Sequence, residues 1–168
     1  MKKIIFLVCL SIGISVILTA QETESAPRFS LGGGSFLSSG FMYGGSADFS
    51  FLIYQKNNFD IRNHFVFRGG SFSDGGIISL LEKISFGGSV LNDWRTYGYA
   101  EGGIGITANK AKSFFEIPLT YLIGGGGGTD FFLTEAMSMY FEIGALFTVT
   151  DGEWIGGSIF HIGWKSWF

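Results

Sequence analysis

One cysteine occurs in the 168 residues, Cys9, and it lies inside an apolar N-terminal run. Without that run no thiol remains for a disulfide or a thiolate metal site. A lipoprotein cysteine is excluded too, because Val8 stands where a small residue is needed and the position is too early in the run. Basic residues are scarce. Setting aside residues 1–20, with Lys2 and Lys3, leaves 9 basic against 14 acidic side chains and a net charge of −5. No basic stripe is left to bind nucleic acid. Past residue 20 no apolar run approaches the ~20 residues of a membrane-spanning helix. Yet the chain is 46% hydrophobic and 17% aromatic. Apolar surface on that scale, without a spanning helix, must be placed in some other way.

The N-terminus has a short positive stretch, Met1-Lys2-Lys3, then an apolar run from Ile4 to Leu18, then the small exit Thr19-Ala20 and the polar Gln21-Glu22-Thr23-Glu24-Ser25. This order is that of a secretory signal peptide, expected to be cut after Ala20. The alternative, an uncleaved anchor, rests on the length of the apolar run. Residues 21–168 form one domain's worth of chain with no internal shift in composition.

Alternation with period two supplies the missing place for the apolar surface. From Phe59 to Arg68, one face carries Phe59, Ile61, Asn63, Phe65 and Phe67, and the other Asp60, Arg62, His64, Val66 and Arg68. Met137 to Thr150 and Phe115 to Ile123 alternate in the same way. Eight such segments are expected, at about 28–37, 42–54, 58–71, 79–91, 95–108, 113–125, 135–150 and 153–168. Most exceed the ~5–6 residues of a soluble strand and match the ~9–11 of a tilted membrane strand. Turn residues separate them: Gln55-Lys56-Asn57-Asn58, Ser73-Asp74-Gly75-Gly76, Asn92-Asp93, Asn109-Lys110 and Thr150-Asp151-Gly152. Ile77 to Lys83 also has a helical stripe, and the strand reading is preferred. The expected fold is all-β: an eight-stranded antiparallel up-and-down transmembrane β-barrel.

The last residues, His161-Ile162-Gly163-Trp164-Lys165-Ser166-Trp167-Phe168, alternate and end on an aromatic. They resemble the C-terminal signature of outer-membrane barrels, with His161, Gly163 and Phe168 in its slots, Trp164 beside them, and Ser166 departing from it. The whole of 21–168 resembles the small barrels of the OmpA-domain and OmpX type. That resemblance implies a bacterial outer-membrane location, lipid around the wall, the barrel-assembly machinery reading the last strand, and a monomer. Phe36, Phe41, Tyr43, Trp94, Tyr97, Phe131, Phe132, Trp154, Trp164, Trp167 and Phe168 fall near strand ends, as expected for interfacial aromatic belts.

Alternation directs Asp48, Asp60, Arg62, His64, Arg68, Lys83, Glu101, Glu116, Glu142, His161 and Lys165 inward. Eight strands leave a lumen just wide enough for side chains to fill it. Buried charges there need partners, so a structural salt-bridge plug is expected, with a narrow ion path as the alternative. OmpA-type barrels carry such a cluster, so the resemblance implies it too. A soluble lipocalin-like barrel would reverse the faces. Barrel enzymes that modify lipid A need a histidine with a serine and a carboxylate, but Val66 and Gly163 stand two residues after His64 and His161, and His161 is expected near the periplasmic end. No enzyme, cofactor or metal is therefore expected. Gly124 to Gly128 lacks the Lys-Ser of a phosphate loop, and Gly103-Ile104-Gly105 has no βαβ setting. The five-glycine run is read as wall curvature and a flexible turn between strands six and seven.

Overall fold

The computed structural model describes residues 28–39, 42–73, 75–91, 93–109, 119–150 and 153–168. Eight strands make up these residues: β1 (Phe29–Ser38), β2 (Tyr43–Lys56), β3 (Phe59–Phe72), β4 (Gly75–Leu91), β5 (Trp94–Asn109), β6 (Leu119–Thr134), β7 (Met137–Thr150) and β8 (Glu153–Trp167). Each pairs antiparallel with its neighbour in sequence, and β1 pairs with β8, so the sheet closes with no free edge. Closure satisfies every strand's backbone groups within the wall, which is what lets a sheet stand in lipid. No helix among the described residues is long and apolar enough to cross a membrane.

At the end where β1 begins and β8 stops, the terminus end, the connections at 57–58 and 135–136 are two residues each. Asn57 turns through a positive φ of 54°. Asparagine tolerates that left-handed region, and tight hairpin turns demand it. The seam between β1 and β8 is finished at this end by Phe168, whose N–H donates to Phe29 O at 2.9 Å while Phe29 N–H donates to Phe168 O at 3.1 Å.

The expected architecture stands, and the Ile77 to Lys83 segment is strand, inside β4. Strand six differs. Its described part runs Leu119–Thr134, past the expected end at 125, while 113–118 lie outside the described residues; the five glycines lie in its middle, paired with β5 and β7, not in a turn. The turn is Glu135-Ala136. The physical reason is room. Gly128 points inward, where an added Cβ would sit 2.8 Å from both Glu142 Cγ and the Tyr97 ring. The run is a site of close approach inside a narrow lumen rather than a hinge.

The outer wall is apolar: Phe67, Ile143, Phe141 and Phe160 are exposed, with Phe65 half-buried among them. Four of the aromatics expected in belts point inward instead. Phe36, Tyr97 and Trp167 are buried in the lumen, and Phe132, on the same side of β6 as Asp130, packs on Trp167 with ring centroids 5.4 Å apart. Side-chain parity, not distance from a strand end, decides which side of the wall a ring occupies. Tyr43, Trp94, Phe131, Trp154, Trp164 and Phe168 do face outward. Phe41 lies outside the described residues.

Candidate functional site

The lumen holds the chemistry. Among the described residues five cations (Arg62, Arg68, Lys83, Arg95, Lys165) and five carboxylates (Asp48, Asp60, Glu101, Asp130, Glu142) are buried there. Alternation places them, because each sits on the inward parity of its strand.

Near the terminus end the charges form a chain. Asp60 accepts from Arg62 Nε at 3.4 Å and from Arg95 Nε at 3.0 Å, and Arg95 Nη2 closes further on its Oδ1. Arg95 Nη1 reaches Asp130 at 3.2 Å, and Lys165 Nζ donates to the other Asp130 oxygen at 2.8 Å. Aromatic faces cover the cations. The Arg62 guanidinium lies 4.6 Å from the Trp167 ring centre, and Lys165 Nζ 4.7 Å from that of Tyr140.

At mid-barrel, Lys83 Nζ bridges Glu142 at 2.8 Å and Asp48 at 3.5 Å. Glu142 also accepts from Tyr97 Oη at 2.9 Å and faces His161 Nδ1 at 3.1 Å. Farther from the termini Arg68 grips Glu101 through two parallel bonds of 2.8 and 2.9 Å. This fork geometry is the strong form of the pair. Every one of the ten charges therefore has an opposite charge within 4 Å.

The sequence directed eleven residues inward, and ten of them are described. Asp48, Asp60, Arg62, His64, Arg68, Lys83, Glu101, Glu142, His161 and Lys165 are all buried in the lumen; Glu116 lies outside the described residues. His161 is not near the terminus end. It pairs in register with Phe36 and Glu142 and sits at mid-barrel. Sequence reasoning missed Arg95 and Asp130. Asp130 fell in the stretch taken for a turn, and Arg95 opened its strand, next to the turn Asn92-Asp93. Parity counted from Glu101 would have found Arg95.

Two serine–histidine–carboxylate chains also form, each assembled across strands rather than along one. His64 Nδ1 faces both oxygens of Asp48 at 3.2 Å, while its Nε2 meets Ser85 Oγ at 2.9 Å. His161 Nδ1 faces Glu142, and its Nε2 meets Ser46 Oγ at 2.6 Å and Tyr140 Oη at 2.8 Å. A search for His and Ser two apart on one strand could not see either. The first has the connectivity of a nucleophilic triad, but Ser85 and His64 are fully buried under the ion pairs. A substrate has no approach to that hydroxyl.

Beyond Arg68 and Glu101 the lumen turns apolar. Phe36, Val66, Ile77, Leu81, Leu122, Leu146 and Ile159 form one packed cluster, with Met42 against it. Above it a cavity of about 300 Å³ opens away from the termini, lined by Met42, Ile77, Leu146, Ile155, Thr107 and Thr120. No group of histidine, cysteine and carboxylate side chains among the described residues could hold a metal ion.

Solved structures place the architecture. Neisserial surface protein A superposes with a TM-score of 0.64 at 11% identity, over 88% of this chain and 100% of that one. The chain has the fold of the small outer-membrane β-barrels. The outer-membrane enzyme PagL superposes with a TM-score of 0.54 at 9% identity, over 83% of this chain and 99% of that one. No protein-family model matches the sequence, and no curated protein matches it. At such identities the likeness concerns the fold alone.

Proposed function

We propose that the protein is an integral protein of the bacterial outer membrane whose lumen is a structural plug, so that it acts through its exposed surface and its place in the membrane rather than as a pore. One observation carries this reading: the ten charges of the lumen are all paired, while the outer wall is apolar apart from Glu82 and its partner Asn63. A soluble ligand-binding barrel has the opposite arrangement. An eight-stranded lumen is filled by ordinary side chains, and here the fillers are long, opposite in charge and locked together.

Residues 1–20 act as the export signal and are removed. His161, Gly163, Trp164 and Phe168 act as the assembly signal read by the barrel-assembly machinery. The pairing of Phe168 with Phe29 supports this, since the terminal residue completes the closing seam. The protein is not an enzyme. The Ser85 triad is sealed by the network that orients it, and its carboxylate is shared with Lys83.

Conductance of the refolded protein in a planar bilayer tests the plug. Unmodified protein is expected to pass little or no current, and Arg62→Ala to pass more, because it removes bulk from the lumen and leaves Asp60 to Arg95 alone. Porin-like conductance in the unmodified protein would overturn the reading. An alkyl fluorophosphonate should leave Ser85 unlabelled in the folded barrel, as intact mass spectrometry would report; a Ser85 adduct would restore the enzyme hypothesis.

A further inference from the structure

The ion pairs and the apolar cluster stop short of the end away from the termini. The cavity of about 300 Å³ that remains there lies on the barrel axis, since its lining comes from all round the wall, from Ser38 on β1 and Phe72 on β3 to Thr107 on β5 and Ile155 on β8. Ile77 and Leu146 belong to the packed cluster, so the cavity has a closed apolar floor. The wall is continuous at this level: Ile77 pairs with Thr107, Tyr121 with Val149, and Thr148 with Ile155. Entry is therefore along the axis, from water, and not sideways from lipid. In outer-membrane barrels the short turns face the periplasm. Those at 57–58 and 135–136 are at the terminus end, so the cavity faces the outside.

Size, charge and exposure each narrow what the cavity suits. About 150 Å³ of apolar cavity holds one benzene ring, so this one takes two fused rings. No ionisable side chain is among the described residues that line it, and the ten lumen charges lie beneath its floor. A charged occupant would lose its hydration and meet no counter-ion. Ile155 points inward yet is 67% exposed, and Phe72 and Met42 are only half-buried. Apolar side chains turned to water gain by being covered. Rigid rings cover them at a smaller ordering cost than an alkyl chain does.

The rim supplies a polar anchor. Thr148 Oγ1 donates to Ile155 O at 3.3 Å. Its hydrogen is used there, and its lone pairs are left for a donor on the occupant. We propose that the cavity binds a neutral two-ring molecule bearing one hydroxyl, taken up from the outer medium. The rings rest on Ile77 and Leu146, and the hydroxyl donates to Thr148. The closed floor makes this a receptor site and not a path. The inference rests on the outer-membrane reading for the side it faces and on the plug for its floor.

Calorimetric titration of the full chain in lipid nanodiscs tests this, with 2-naphthol as the probe and empty nanodiscs as the blank. One saturable site per chain is expected. Naphthalene-2-sulfonate, the same rings with a fixed negative charge, should bind at least about tenfold more weakly. Thr148→Val keeps the shape and removes the acceptor, so it should weaken 2-naphthol about tenfold and leave naphthalene unchanged. Thr148→Trp fills the cavity from its rim and should abolish saturable binding of both. The heat-modifiable mobility of a folded barrel is checked for each variant; if Thr148→Trp does not fold, the sulfonate and Thr148→Val decide. Uptake no greater than that of empty nanodiscs, equal affinity for the sulfonate, or full binding by folded Thr148→Trp would each overturn the site. Unchanged 2-naphthol binding by Thr148→Val would overturn the hydroxyl anchor. Failure of the chain to enter nanodiscs would instead overturn the membrane reading.

Discussion

The two halves of the lumen are closed by different physics. Toward the terminus end, ion pairs, hydrogen bonds and aromatic faces fill the space. Toward the other end an apolar cluster closes the barrel, and above it a cavity of about 300 Å³ remains. Apolar packing tolerates a void at its edge, because a lost contact forfeits only dispersion and transfer energy. A buried charge tolerates none, because an unpaired one cannot relax into water. The charged half must therefore be complete, and the apolar half need not be.

Four substitutions would sharpen or break this contrast, in falling order of effect. Glu142→Ala removes the carboxylate shared by Lys83, Tyr97 and His161. It should cost about 3–5 kcal/mol, the range for breaking a buried pair, measured by urea unfolding of the protein refolded in lipid vesicles. A loss below that of the apolar substitution described next would refute the comparison. Leu81→Ala empties the apolar half instead. Its expected cost is about 2 kcal/mol, the lower end for leucine truncation, because the cavity nearby lets neighbours shift. A loss matching that of Glu142→Ala would mean that the two halves are equally rigid.

The smallest effect separates two adjacent glycines. Gly128→Ala drives a methyl into Glu142 and Tyr97 and should cost about 1–3 kcal/mol by overpacking. Gly127→Ala points outward, where the methyl meets only Tyr97 O at an ordinary 3.5 Å, and should stay within about 0.5 kcal/mol. Equal effects at the two positions would show that the run acts through backbone flexibility, as a turn would, and not through alternating faces.

Much of this molecule was legible before any coordinates. A charge on alternate residues of Phe59 to Arg68 can only be satisfied if one face is wet or paired and the other is greasy. Repeated over eight segments of that length, the pattern leaves a closed barrel as the consistent solution. The site was half legible: parity named ten of the lumen residues that the structure buries there, but it could not pair them. Partners such as Arg68 and Glu101 are 33 residues apart, and their meeting depends on the stagger between strands. The same holds for Ser85 and His64, which lie on different strands and are joined only by register.

The sequence by itself determined the periodicity, and through it the fold class, the strand count and the inward or outward sense of most side chains, because each depends on neighbours along the chain. Tertiary structure alone decided three things. It placed the glycine run in a wall rather than a turn, because the large side chains it makes room for come from β5 and β7. It turned Phe36, Tyr97 and Trp167 inward, because parity overrides nearness to a strand end. It set Glu82 beside Asn63 on an otherwise apolar wall, because that contact exists only once β3 and β4 have fixed their register.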